Sequence, residues 1–405
     1  MSATEVVVTG LGVVSPHGLD ASAMFDALMR GQSAVKPIFP ELPRPAAAAT
    51  VDFDPSPWFT KLQLAGVDRV SQMAVASADL ALRDAGSPEL QVHSERIGVY
   101  AGCGMGGASA LEGAYRSHNG RVPPLTIPAF MPNAPAAQVA MRYRVQGPVL
   151  TYSVACASSA IAIAEAAKAV ACGEVDLAIA GGSEALIVPG VVLAWQAMQT
   201  LAGFEPGREA EAVKPFASDR SGFALGEGAA FLVLESAAHA RRREARVYAR
   251  MAGWGIGCDA THLTKPDAGG QARAIRAALQ KAGRAPGEVG YCNAHGTATR
   301  IGDLVEAEAL GQVWGDALGE LRVSSTKALH GHLLGAAGAL EAVIGVLALH
   351  RQQLPPNANC LEADPACRLN VVLEKNGTAA ERLEAVLSNS FAFGGTNAAL
   401  VFSRD

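Results

Sequence analysis

The chain has 405 residues, half of them hydrophobic, 18% charged and 5% aromatic, with a net charge of −5 at pH 7. That length suits two or three ordinary domains or one large double domain, and the shortage of charge predicts a large interior or a large buried subunit contact. A negative balance with no Lys/Arg stripe argues against nucleic acid as a partner.

The N-terminal MSATEVVVTG has no basic region and no long apolar run, so it does not read as a signal peptide. Residues 5–11 form a buried-strand pattern that runs into glycine punctuation. The GxG of Gly10 and Gly12 fails the dinucleotide fingerprint, because Ser15 stands where the third glycine belongs. Residues 20–31 look helical, and 33–60, rich in Pro and Ala, read as a surface excursion. The pattern predicts a strong helix over 67–86 and a strand over 97–101 ending in the turn GCGMGG. Five prolines between 123 and 135 rule out a long helix there, and a helix can begin near Ala136.

A strand over 149–154 then feeds Cys156 and an Ala- and Ile-rich helical run stopped by Gly173. That run carries only Glu165 and Lys168 as charges, so most of its circumference is expected to be buried. Cys156 therefore stands at the N-terminus of a buried helix, where unpaired N–H groups and the helix dipole favour thiolate, the nucleophilic form. A free Cys taken alone is more often a small buried hydrophobe. The case for chemistry rests on the rest of the chain.

A strand over 175–180 ends in GGSEA, a polar loop over 218–227 precedes a strand over 229–234, and 237–244 is a basic-faced helix. From about Arg246 the order restarts. A strand over 247–254 and its GIG echo VVVTGLG, and a helix over 271–283 echoes 67–86. A strand over 289–294 opening into HGTAT echoes VYAGCG. A strand over 321–324 and a small-residue helix over 333–350 echo the strand and helix around Cys156, and 385–388 echoes 175–180. The inference is two similar α/β halves, 1–245 and 246–405, with sheets covered by helices and a shared cleft at the strand ends. The longest apolar runs hold Glu165, Lys168 or Glu341 and fall short of a clean membrane span. Seven scattered cysteines without a CxxC predict reduced thiols in the cytoplasm and no structural metal.

Four features follow equivalent strand ends: Cys156, His295 in NAHGTAT, His332 in STKALHGHLLGAAGALE, and the glycine loop NSFAFGGTN. Each alone has an ordinary structural explanation. Glu341, however, lies in an apolar run where an unpaired carboxylate is costly, so it needs Lys327 or a histidine as partner. A nucleophilic Cys, two histidines and a backbone-donor loop together meet the requirements of acyl transfer.

The stretches VACASSA, PFASDRSGFALGEGA, NAHGTATRIGD, STKALHGHLLGAAGALE and SNSFAFGGTN resemble those of the β-ketoacyl-acyl-carrier-protein synthases, and the resemblance spans the chain. The Cys-His-His set looks like the elongating branch. The resemblance implies the thiolase fold, two duplicated halves in a five-layered α/β/α/β/α core, and a homodimer. It implies that Cys156 takes an acyl chain from an acyl carrier protein and that malonyl carrier protein then loses CO₂ and extends it by two carbons. His295 and His332 would stabilise the enolate, with Lys327 and Glu341 setting their charge and Asp303 supporting Lys327. The N–H groups of Cys156 and Phe393 would form an oxyanion hole, and Phe393, Gly394 and Gly395 would gate the pocket. Thr297 and Thr299 would bind the pantetheine arm, and Met105 would line the acyl pocket. No cofactor and no metal is implied.

The chain departs from the family pattern at His330, Ala217, Ser221 and Ala392. His330 is expected to be inert, Ala217 and Ser221 put the usual ion pairs of their loop in doubt, and Ala392 would resist a positive φ. These departures give weight to a dedicated polyene or polyketide pathway, in which the chain would be the active subunit of a heterodimer with a chain-length partner. A thiolase is the weaker alternative, since no Cys follows Cys367. Lys61, Arg69, Arg116, Arg121 and Arg208 are candidates for docking an acidic carrier protein.

Overall fold

The computed structural model describes residues 4–117, 120–380 and 382–404. Strands β1 (Val6–Val14), β2 (Ile97–Gly102), β3 (Val149–Tyr152), β4 (Leu177–Glu184) and β5 (Gly228–Ser236) come from the first part of the chain. The second part supplies β6 (Ala249–Cys258), β7 (Tyr291–Asn293), β8 (Arg322–Ser324), β9 (Asn370–Val371), β10 (Ala385–Phe391) and β11 (Thr396–Ser403). The lateral order is β9-β8-β7-β10-β11-β6-β1-β5-β4-β2-β3.

The duplication is visible in that order. Outward from the centre, one side runs β1, β5, β4, β2, β3 and the other β6, β11, β10, β7, β8. On both sides the first two pairings are antiparallel and the next two parallel. Among the described residues, the strand pairs Val7↔Arg250 and Val8↔Ala249 join the two sides within the sheet.

Helices α1 (Arg69–Asp84), α2 (Ala134–Tyr143), α3 (Ser158–Ala171), α4 (Ala268–Ala282), α5 (Arg300–Trp314) and α6 (Ala337–Arg351) complete the layers. The strands are apolar on both faces because helices cover both. In β5, Ala229, Phe231 and Val233 pack with α1 and α2, while Ala230, Leu232 and Leu234 pack with α3 and α6. α4 and α5 cover the outer face of the strands from the second part of the chain. The result is the five-layered thiolase fold, with α3 and α6 as its middle layer. Residues Leu334–Arg351 are apolar and long enough to span a membrane, but they are buried in this middle layer.

Several boundaries differ from the sequence pattern, for packing reasons. β1 does not stop at Leu11 but runs on through its glycines. A Cβ on Gly12 would lie 2.1 Å from the Ser77 carbonyl oxygen and one on Gly10 would lie 2.2 Å from that of Ala81, so these glycines let α1 press onto the strand. Gly253 and Gly255 do the same for α4 in β6. Residues 33–60 are not wholly a surface excursion: Ala46–Ala49 is a buried strand of a small three-stranded sheet. The helix expected near Ala136 starts at Ala134 with Pro135 in its first turn, where a missing N–H costs nothing.

Candidate active site

Cys156 lies between β3 and α3 on a turn whose preceding residue, Ala155, has φ +44°, a left-handed value that a residue with a Cβ seldom adopts. Ser158 holds that turn. Its Oγ accepts the Val154 N–H at 2.9 Å and donates to the Ala155 carbonyl at 2.6 Å. α3 is buried except near Glu165 and Lys168, as its composition required. The thiolate expectation is corrected. Burial pushes the Cys156 thiol up to about 12, against an opposing pull from Lys327. A helix terminus offers up to about 2 kcal/mol, roughly one and a half pH units, which does not offset that rise. The resting group is a thiol.

His332 Nε2 lies 3.1 Å from Cys156 Sγ. Its Nδ1 accepts the Leu334 N–H at 3.3 Å, so the ring proton of the neutral form sits on Nε2 and points at the sulfur. The His332 backbone is fixed by its N–H to the Ala224 carbonyl and its own carbonyl to the Gly226 N–H. His295 approaches edge-on, with ring centroids 5.5 Å apart and planes at 80°. One nitrogen of each ring and Cys156 Sγ lie within 4.8 Å of one another. Burial first, and the Lys327 charge second, hold both imidazoles well below their usual range, so both rings are neutral.

Lys327 and Glu341 are fully buried and form an ion pair, and Lys327 Nζ also donates to the His295 carbonyl at 2.5 Å. Burial raises the Glu341 carboxyl to about 7, with Lys327 pulling it back. Asp303 is placed differently from the expectation. It accepts the Phe216 N–H at 2.8 Å and faces Arg220 at 3.8 Å, so it anchors the 214–222 loop and does not bond Lys327. Arg220 also pairs with Asp364, which keeps that loop tied down despite Ala217 and Ser221. The residue that supports the His295 turn is Glu306 of α5, which sequence reasoning missed. It accepts the N–H groups of His295 at 2.9 Å and Gly296 at 2.7 Å. A helix opened by the Thr299 cap, with the carboxylates of Asp303 and Glu306 on the same face as Ala307, Leu310 and Trp314, was its signal.

Cys156, His295 and His332 open into a cavity of about 630 Å³ that Thr297, Thr299 and Phe393 also line. Thr299 is committed as well to capping α5 through the Gly302 N–H. Phe393 stacks on Trp195 with centroids 6.2 Å apart. Gly394 and Gly395 carry the positive φ of that loop, +90° and +77°, whereas Ala392 has none, so the expected strain at Ala392 is absent. Met105 is half exposed and is not among the residues that line this cavity. His330 donates from Nδ1 to the Gly331 carbonyl at 2.8 Å and accepts at Nε2 from Thr326 at 2.9 Å, a closed structural role. Of the docking candidates, Arg69 is taken by Glu227, Arg116 by Glu112, and Arg208 by Glu205 and Glu211.

The fold and this site define an acyltransferase of the thiolase-fold class. Residues 3–240 match the model of the beta-ketoacyl synthase N-terminal domain and 248–361 that of the C-terminal domain, so the chain belongs to the beta-ketoacyl synthase family. It is 39% identical to 3-oxoacyl-[acyl-carrier-protein] synthase 2 of Coxiella burnetii over 100% of this chain and 99% of that one. It is also 39% identical to nodulation protein E of Rhizobium meliloti, over 99% of each. Among solved structures, the ishigamide ketosynthase/chain length factor superposes with a TM-score of 0.92 at 32% identity, covering 100% of both chains.

Proposed function

We propose that the chain catalyses decarboxylative Claisen condensation of malonyl-acyl carrier protein with an acyl group held on Cys156. The observation that carries this is His332 Nε2–H facing Cys156 Sγ, its tautomer fixed by the Leu334 N–H. In the first half-reaction Cys156 sulfur attacks the acyl thioester, and its proton ends on the departing carrier-protein thiol. The N–H groups of Cys156 and Phe393 receive the oxyanion. Malonyl carrier protein then binds, with its pantetheine arm along Thr297 and Thr299. As CO₂ leaves, charge develops on the thioester oxygen, and the neutral His295 and His332 donate to it. The enolate carbon attacks the acyl carbonyl, a C–C bond forms, and Cys156 leaves as a thiolate that regains a proton. Lys327 adds to burial in keeping both imidazoles neutral and so able to donate. None of these steps draws on a cofactor or metal. On this reading Cys156 belongs to an N-terminal half, 1–245, and both histidines to a C-terminal half, 246–405.

The partner is an acyl carrier protein, and a second related subunit. β3 is the last strand on its side of the sheet, and Val149 and Leu150 on it are exposed, which supports pairing with another such subunit. A homodimer in fatty acid synthesis is the first reading. The likeness to a ketosynthase/chain length factor pair favours, as the second, an active subunit beside a chain-length partner in a polyene or polyketide pathway. Seven free cysteines support work in the cytoplasm. The test is to supply acyl and malonyl carrier proteins and look for a β-ketoacyl product two carbons longer. A product only after adding a related subunit would select the heterodimer. Malonyl carrier protein left intact under both conditions would overturn the proposal.

A further inference from the structure

Glu184, the last residue of β4, is fully buried and belongs to none of the chemistry described so far. Its carboxylate collects donors from two separate turns. From the turn after β2 it accepts the N–H groups of Gly104 at 2.7 Å and Met105 at 3.3 Å, with the Cys103 thiol at 3.9 Å. From the turn after His332 it accepts the Gly335 N–H at 3.0 Å. The contact is close enough to exclude side chains. A Cβ on Gly104 would lie 2.5 Å from Glu184 Oε2, and one on Gly335 would lie 2.4 Å both from that oxygen and from the Gly104 backbone nitrogen.

The residue before Gly335 is Leu334, whose N–H fixes the His332 tautomer. Leu334 has φ +47°, a conformation that a leucine does not hold unless its surroundings impose it. The Glu184 carboxylate, bonded to the next N–H along, is a restraint that does so. We infer that Glu184 is a positioning residue: by pinning Gly335 it aims the Leu334 N–H at His332 Nδ1 and so keeps the Nε2 proton directed at Cys156. It ties this turn, from the second half of the chain, to the 102–107 turn of the first.

This inference rests on the proposed function for its consequence in rate, but its structural content is independent of it. The test uses the full-length protein labelled with [15N]histidine, the His332 signals being identified by their loss in His332→Ala. Glu184→Gln keeps the shape but turns an NH₂ toward N–H donors. Gly335→Ala, whose Cβ would meet both Glu184 Oε2 and the Gly104 backbone nitrogen at 2.4 Å, forces the two turns and the carboxylate apart with the charge intact. In both variants the His332 spectrum is expected to change from a single Nε2–H tautomer to a mixture. The kcat for malonyl decarboxylation should fall about tenfold or more with KM within about twofold, as for a group that acts in the transition state. An unchanged tautomer in both variants, or a rate loss confined to KM, would overturn the inference. So would failure of both to fold, which would make Glu184 purely structural. If the wild type does not decarboxylate malonyl carrier protein, the proposed function fails while the tautomer comparison still decides the role of Glu184.

Discussion

Lys327 and Glu341 form an ion pair with no access to water, and the lysine also reaches the carbonyl of His295. Burial keeps the His295 and His332 imidazoles neutral, and the Lys327 charge beside them adds to that. Removing one partner leaves the other buried and unpaired, at a cost of about 3–5 kcal/mol. Lys327→Met is therefore expected to lose that much stability in urea unfolding at pH 8. The loss should shrink at pH 6: without Lys327's opposing pull Glu341 lies still further above its ordinary range in the folded variant, and the proton it must take up costs less as pH falls. A loss below about 1 kcal/mol at pH 8 would contradict the assigned pairing.

His295 and His332 are expected to separate the two half-reactions. His295→Ala removes one donor from the developing enolate, and decarboxylation should fall by about 10²–10³-fold. Loading of Cys156, which does not use that donor, should persist. Equal losses in both, measured by CO₂ release and by single-turnover loading, would mean that His295 serves the nucleophile instead.

His330 makes stability depend on acid. Burial, then Lys327 and His17, lower it from 6.5 to about 3. Between those values the unfolded chain binds a proton that the folded chain refuses, so stability is lost as pH falls below 6.5. From pH 7 to pH 5 this group alone should cost the wild type about 2 kcal/mol. His330→Asn, measured by urea unfolding over the same range, should be less acid-sensitive by about that amount. Identical pH dependence would show that His330 is protonated in the folded protein.

Trp195 and Phe393 stack with planes at 28°, closing one wall of the cavity. Trp195→Ala should admit longer or branched acyl groups and shift the ratio of kcat/KM between long and short donors by roughly tenfold, about what one or two methylene groups are worth in an apolar pocket. An unchanged donor profile would place the acyl chain elsewhere.

Much of this architecture was legible because its signals are local. Apolar runs bounded by glycine gave most strands, and the restart near Arg246 gave the duplication. Cys156, His295 and His332 each followed a strand end, so a shared topology brought them together. What the sequence hid depends on contacts between distant elements. Gly10 and Gly12 read as a turn, yet they sit inside β1 because α1 presses on them. Glu184 and Glu306 look like ordinary carboxylates until the backbone N–H groups they collect are seen. Asp303, which the family resemblance matched to Lys327, faces Arg220 instead, a contact between distant parts of the chain. The charge of Cys156 turned on burial, which outweighs the helix terminus.

The most direct test of the account is intact-protein mass spectrometry of wild type and Cys156→Ala after incubation with a panel of acyl carrier proteins. Wild type should gain the mass of one acyl group, Cys156→Ala should gain none, and malonyl carrier protein should then discharge the adduct as a β-ketoacyl product. Equal acylation of both proteins, or an adduct that malonyl carrier protein fails to discharge, would contradict it.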